Sequence, residues 1–252
     1  RLDDGDYTID DVLVHDAHCQ DNFLHQQLWG LEKLDLGNAR IVAGGDQYAI
    51  WFWDENQVSQ YGYYLYSTED NVVGDYMFYD MPCLQWLQLP SGTTAIGEYA
   101  ICQERQHGAR FKLTYCPIPS GVNRIGQCAF LYAGITEVSV PKGVTELPYA
   151  VFWHCEKLQK ATLPEGLKTI GHGPFSECYE LVEVNMPSTV ESIDHYAFYN
   201  NQKRTTPLVI PNGCKTIGNF AFQYNYVMPS VKFGNSVETI GTDKCLAHFP
   251  ER

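Results

Sequence analysis

Proline recurs along most of this 252-residue chain at Pro90, Pro119, Pro141, Pro164, Pro187 and Pro211, and Gly234 takes the next equivalent place. The spacings are 29, 22, 23, 23, 24 and 23 residues. Two further markers keep step with the prolines. An aliphatic phase runs Val73, Ile96, Ile125, Leu147, Ile170, Ile193, Ile217, Ile240, and each member is followed five residues later by Phe78, Ile101, Phe130, Phe152, Phe175, Phe198, Phe222 or Cys245. A period in this range confines the chain to a solenoid, in which each unit buries its apolar face only against its neighbours.

One unit reads P-x-G/T-V/L-x-x-I-G-x-x-A/P-F-x-x-C/N-x-x-L-x-x-V-x-V/L. Its tail alternates, as in Leu84, Leu87, Leu89, in Ile135, Val138, Val140 and in Leu158, Ala161, Leu163. Alternation is strand periodicity, and the Pro or Gly that follows ends the strand because proline cannot donate to a ladder. The Val/Leu-x-x-Ile pair predicts a second short strand. The Ala-Phe step predicts a tight turn, or a turn of 3₁₀ helix, that drops the ring into the core. The expected fold is therefore a β-rich, right-handed coil with units of ~23 residues, short parallel strands and 3₁₀ turns, the coils stacked about 4.8 Å apart.

What fails to repeat sets the domain reading. The strand motif appears once earlier as Leu31, Leu34, Leu36, but 37 residues separate Leu36 from Val73 where Leu89 and Ile96 are seven apart. About 30 residues are thus inserted in the first coil. We expect an N-terminal cap over residues 1–30, a solenoid over 31–245 with an aromatic insert at about 41–72, and a tail or truncated cap over 246–252. A second, smaller insert, ERQHGARF, lengthens the third unit. The opening RLDDGDYT is neither a signal peptide nor a natural start, so the chain reads as a mature or trimmed piece.

The net charge of −13 is one-sided: residues 1–80 carry 16 acidic and three basic side chains, and the remainder 14 of each. No basic cluster meets the needs of nucleic acid or of an anionic membrane surface. No apolar run is long enough to span a bilayer. The nine cysteines fall largely at fixed repeat phases, as buried small side chains do; CxxC pairs are absent, and Cys102 with Cys116, which bracket the irregular unit, is the best candidate disulfide. Enzyme signatures such as G-x-S-x-G, a Walker loop or H-E-x-x-H are absent. Carboxylates abound in the first 80 residues, yet nothing singles out a catalytic pair.

The unit, best seen in LPEGLKTIGHGPFSECYELVEV and its copies over about 73–245, resembles the leucine-rich repeat of BspA-type bacterial surface proteins. The resemblance implies a secreted or cell-surface protein that adheres to host matrix proteins or other cells, with no catalytic motif and no cofactor. It does not by itself fix a function.

Four groups are candidate sites. Trp51, Trp53, Tyr61, Tyr63, Tyr64 and Tyr66 crowd into the insert; such rings suit protein hot spots and sugar faces, or they close the open end of the first coil. The outward rows of the strands read Gln88, Ser139, Thr162, Asn185, Val209, Lys232 and Trp86, Glu137, Lys160, Glu183, either a binding face or a plain solvated one. Trp86 is its one large aromatic. His172 and His195 share a phase on adjacent coils, about 5 Å apart by strand spacing; they are a metal pair or simply two members of a polar, variable position. HDAHCQDNFLH, with His15, His18, Cys19 and His25, and the acidic cluster before it have only loose metal spacing. The expectation is a non-enzymatic module that binds extracellular or host proteins, with glycan binding through the insert as the alternative, and no resident metal.

Overall fold

Each repeat unit closes one coil, and all eight aliphatic markers lie on strands. The computed structural model describes residues 30–43, 48–52, 62–81, 83–103, 111–242 and 244–246. Residues 1–29 of the proposed cap, Trp53, Tyr61, most of the smaller insert and the last six residues lie outside them. Among the described residues there are no helices. The chain forms a parallel β-solenoid of about seven turns.

Two strand faces wrap the core. The first carries the alternating tails: β1 (Lys33–Asp35), β5 (Trp86–Gln88), β8 (Glu137–Ser139), β10 (Lys160–Thr162), β12 (Glu183–Val184), β14 (Leu208–Val209) and β16 (Val231–Lys232). The second carries the aliphatic markers: β4 (Val72–Val73), β6 (Ala95–Ile96), β7 (Arg124–Ile125), β9 (Glu146–Leu147), β11 (Thr169–Ile170), β13 (Ser192–Ile193), β15 (Thr216–Ile217) and β17 (Thr239–Ile240). Pairing within both faces is parallel, with Ile170 opposite Ile193 and Leu147, and Ala161 opposite Val138 and Val184. The markers are therefore in register as the spacing predicts.

The sheets break where proline takes a ladder position. Along the second face the residue after each aliphatic marker donates its N–H to the previous marker's carbonyl: Gly97 to Val73, Gly126 to Ile96, Gly171 to Leu147, Asp194 to Ile170, Gly218 to Ile193 and Gly241 to Ile217. Pro148 holds this place after Leu147 and has no N–H to give to Ile125. The sheet divides there into β4-β6-β7 and β9-β11-β13-β15-β17. On the first face, Trp86, Lys160 and Glu183 donate to Glu32, Thr136 and Gln159. Pro207 takes the next such position, and the sheet ends between β12 and β14. The orphaned Val182 carbonyl accepts instead from the Arg204 guanidinium at 3.3 Å. A side chain thus supplies the donor that proline lacks.

The third side of the coil is the Ala-Phe step. Its turns carry the i-to-i+3 hydrogen bonds of 3₁₀ geometry, from Leu131 to Cys128 and from Ala133 to Phe130, then from Trp153 to Ala150 and from Cys155 to Phe152. Two residues before the marker Phe the backbone is left-handed in coil after coil, at Tyr76, Tyr99, Cys128, Ala150, Gly173, Tyr196 and Phe220. Only one of these is glycine, although left-handed backbone disfavours a Cβ. The conformation is held by bonds between coils. The N–H groups of Ala150, Phe152 and His154 donate to His172, Pro174 and Ser176, and those of Gly173, Phe175 and Glu177 donate to His195, Ala197 and Tyr199. Every such bond runs from one coil's N–H to the following coil's carbonyl.

Inside, the marker rings stack as a continuous ladder. Centroid separations from Phe130 through Phe152, Phe175 and Phe198 to Phe222 are 5.4, 5.6, 5.4 and 5.7 Å. Three residues beyond Phe152, Phe175, Phe198 and Phe222 stands Cys or Asn, and at three of these four the structure gives the reason. The Cys155 thiol donates to the Phe130 carbonyl at 3.1 Å, Cys178 to Phe152 at 3.2 Å, and the Asn225 amide to Phe198 at 2.8 Å. The position calls for a small buried donor, and thiol and amide both serve. Cys102 and Cys116 are both free and buried, as buried small side chains, and the candidate disulfide between them is not made. Burial pushes the thiols of Cys102, Cys116, Cys155 and Cys178 well above the ordinary range. Because the thiolate is the nucleophile, iodoacetamide should alkylate Cys83, which is only partly buried, long before these four. Peptide mass mapping of the native protein checks this; early labelling of Cys155 or Cys178 contradicts the packing.

The insert leaves the first coil through a closed base. The Asn71 N–H donates to the Ile41 carbonyl at 2.9 Å, and the Ala43 N–H to the Asp70 carboxylate at 2.7 Å. Beyond that base β2 (Tyr48–Phe52) and β3 (Gly62–Tyr66) form an antiparallel pair of their own.

Candidate binding surface

The inward residues of the first face fix which side chains point out. Leu87, Val138 and Ala161 are buried at the centres of their strands, and their neighbours on either side face solvent. One outward column runs Lys33, Trp86, Tyr115, Glu137, Lys160, Glu183, joined by the pairings of Lys33 with Trp86, Trp86 with Tyr115, and Lys160 with Glu137 and Glu183. The Lys33 ammonium lies 4.2 Å from the centre of the Trp86 ring. Tyr115 stacks on Trp86 at 5.1 Å with the planes 2° apart. Lys33, on β1, and Tyr115, in an isolated bridge on the other side, flank Trp86, so both faces of the indole are taken and its edge is what meets solvent. Tyr115 remains 43 % exposed. Farther along, Lys160 and Glu183 pair at 3.4 Å with both side chains well exposed. An exposed pair of this kind contributes under about 1 kcal/mol.

The second outward row is less uniform than the sequence suggests. Asn185 turns back onto the neighbouring strand, accepting from the Leu163 N–H at 2.7 Å and donating to the Leu163 carbonyl at 2.8 Å. It repairs the strand end and is not a spare contact group. Val209 is 58 % exposed on β14, an apolar side chain on an otherwise polar row.

Of the insert residues, Trp51 is paired through its backbone with Tyr63, Ile50 with Tyr64, and Tyr48 with Tyr66. The hairpin brings the two aromatic stretches to one ladder. Trp53 and Tyr61 lie outside the described residues.

His172 and His195 stack across adjacent coils at 6.0 Å between centroids. Asp194 joins them. Its Oδ1 accepts from the His195 N–H at 2.6 Å and lies 2.5 Å from Nδ1 of the same ring. Burial raises the Asp194 carboxyl, but the hydrogen bonds and charge of His195 outweigh that and hold it below its ordinary value. Sequence reasoning missed Asp194, Tyr115 and Lys33. Asp194 was signalled by its departure from the Ile-Gly step, and Tyr115 by its phase with Trp86 once the longer third unit is allowed for.

A family model described as BspA type leucine rich repeat region matches the chain in six copies over residues 71–205 and 201–247. Among solved structures, a leucine rich cell surface protein from Faecalibacterium prausnitzii A2-165 is similar at 25 % identity and a TM-score of 0.58, with 76 % of this chain and 54 % of that chain covered. The chain spans about half the length of that protein. A leucine-rich repeat protein from Bacteroides ovatus ATCC 8483 matches at 17 % identity and a TM-score of 0.51 over 82 % of this chain and 80 % of the other; that likeness speaks for the fold alone. No curated protein matches. Among the described residues no helix is long and apolar enough to cross a membrane.

Proposed function

Since the chain belongs to the BspA-type leucine-rich repeat family, we propose that it is a non-enzymatic binding module of the bacterial cell surface. In this reading it adheres to host or other extracellular proteins through the outward face of the alternating strands. The observation that carries the reading is the column Lys33, Trp86, Tyr115, Glu137, Lys160, Glu183. It combines a stacked aromatic pair with charges of both signs, Lys33, Trp86 and Tyr115 being held by one set of backbone pairings and Glu137, Lys160 and Glu183 by another. Tyr and Trp give large contact area at small entropic cost, and mixed charges around them confer selectivity more than affinity. A repeat scaffold holds such groups without rearrangement on binding, which lowers the cost of association.

The second reading is glycan binding through the hairpin. It is favoured by the register that sets Trp51 opposite Tyr63. One experiment separates the two. The chain is presented to immobilised extracellular-matrix proteins and to a glycan array, as wild type, as the double variant Trp86→Ala/Tyr115→Ala, and as Trp51→Ala. We expect matrix-protein binding that falls about tenfold or more in the double variant, the loss of a hot-spot pair, and is unchanged in Trp51→Ala. Binding confined to glycans and abolished by Trp51→Ala would support the hairpin instead. Indifference of matrix binding to the double variant would remove the strand face as the contact.

A further inference from the structure

We propose that His172, Asp194 and His195 form a surface site for a divalent transition metal of the zinc class. The two imidazoles and the carboxylate supply the ligands. Among the described residues this is the one group of three in which a ligand atom from each member lies within 4.8 Å of the others. Zinc bonds of about 2.0–2.2 Å to nitrogen and oxygen set tetrahedral ligands a little over 3 Å apart. Closing the group around an ion therefore requires side-chain rotations of an ångström or so. The Asp194 and His195 side chains are 47 % and 46 % exposed, so solvent leaves room for that movement. Imidazole nitrogen suits zinc, nickel or copper, and the absence of a second carboxylate argues against calcium or magnesium.

Two features of the coil place these residues together. His172 and His195 are 23 residues apart, one repeat, and the register of Ile170 with Ile193 brings them side by side. Asp194 stands where the repeat otherwise uses glycine, apart from Pro148. At Gly97, Gly126, Gly171, Gly218 and Gly241 an added Cβ would meet the preceding coil at 2.3–2.5 Å. The stacking thus selects against a side chain at this phase, and the one acidic side chain found there lies against His195 and within 4.8 Å of a ligand atom of His172. Asp194 Oδ1 accepts the His195 backbone N–H at 2.6 Å, which leaves the second carboxylate oxygen for a cation.

The test is calorimetric titration of the tag-free chain with zinc chloride at neutral pH. Four variants accompany the wild type: His172→Ala/His195→Ala, Asp194→Gly, His154→Ala and His15→Ala/His18→Ala. Asp194→Gly restores the repeat's own residue, so the fold is kept. We expect one equivalent of zinc to be lost in the His172→Ala/His195→Ala protein and its affinity to fall about tenfold or more in Asp194→Gly. The other two variants should retain it. Copper(II) bound to the wild type should show an electron paramagnetic resonance pattern of two nitrogens that the paired-histidine variant lacks. Equal stoichiometry and affinity in wild type and His172→Ala/His195→Ala would overturn the site, as would loss of the equivalent in His15→Ala/His18→Ala alone. Wild-type affinity in Asp194→Gly would remove the carboxylate from the ligand set.

Discussion

Phe175→Ala is expected to cost the solenoid about 3–5 kcal/mol, the range for truncating a fully buried aromatic ring. Phe175 is completely buried and stacked between Phe152 and Phe198 at 5.6 and 5.4 Å. A globular core can partly collapse around such a hole, but here the coil spacing is fixed from outside. The Phe175 N–H is bonded to Ala197 and the Phe152 N–H to Pro174, both at 3.0 Å. Because stability in a stacked array is a sum of unit and nearest-neighbour contributions, a central lesion weakens two interfaces at once. Phe222→Ala, with one ring neighbour at its back, should cost less. Phe175→Leu should cost under about 1.5 kcal/mol, since apolar volume is largely conserved and the second coil already uses Ile101 at this phase. Urea unfolding followed by far-ultraviolet circular dichroism measures all three. A midpoint for Phe175→Ala within error of wild type would mean that the ring ladder is not what sets the stacking.

The second large effect comes from the smallest change. In Gly126→Ala the new methyl would lie 2.4 Å from the backbone of Gly97 and Glu98. Those atoms are main chain, so no side chain can swing away, and the hydrogen bond from Gly126 N–H to Ile96 at 2.8 Å resists separation of the coils. The expected cost lies at or above the top of the roughly 1–3 kcal/mol seen when a well-packed interior is overfilled. Gly173→Ala is the control. Gly173 has φ +62° but its added Cβ meets nothing nearer than 3.7 Å, and Ala150 already occupies the same left-handed phase. Its cost should be no more than the roughly 1–2 kcal/mol of left-handed backbone. Thermal melts of the two proteins should differ clearly; a Gly126→Ala protein as stable as Gly173→Ala would refute the close approach of the coils.

Much of the fold was legible because the same burial demand is posed once per coil. An isolated Ile or Phe says little, but eight in register over-determine the strand positions and the core. The local departures were harder to read. Pro148 and Pro207 look like ordinary members of a proline-rich chain, and only the ladder shows that each removes a donor and splits a sheet. Arg204, acting as the substitute donor for Val182, carries no sequence signal. The left-handed residues escaped because tyrosine, cysteine and phenylalanine hold positions where glycine would have announced the conformation. The site residues followed the same rule. Trp86 was visible from its outward phase, whereas its partners Lys33 and Tyr115 depend on pairing across an irregular unit. The rings of the insert were visible as composition, but YAIWF and GYYLY only reveal a hairpin when set opposite one another.

The bonds along the Ala-Phe side all run the same way, from N–H to the carbonyl of the following coil, and this has an electrical meaning. Strands of an ordinary sheet alternate their peptide groups and largely cancel, leaving little net dipole. Here three peptide units per coil lie head to tail along the axis, each with about 3.5 D, so the column adds up as a helix does. The carbonyl end, partially negative, faces the start of the chain, and the N–H end, partially positive, faces its finish. The acidic excess of residues 1–80 belongs to the same half of the sequence as the negative pole. The polarity belongs to this one side of the coil, because the bonds after the aliphatic markers run the opposite way, from each coil's N–H to the preceding coil's carbonyl.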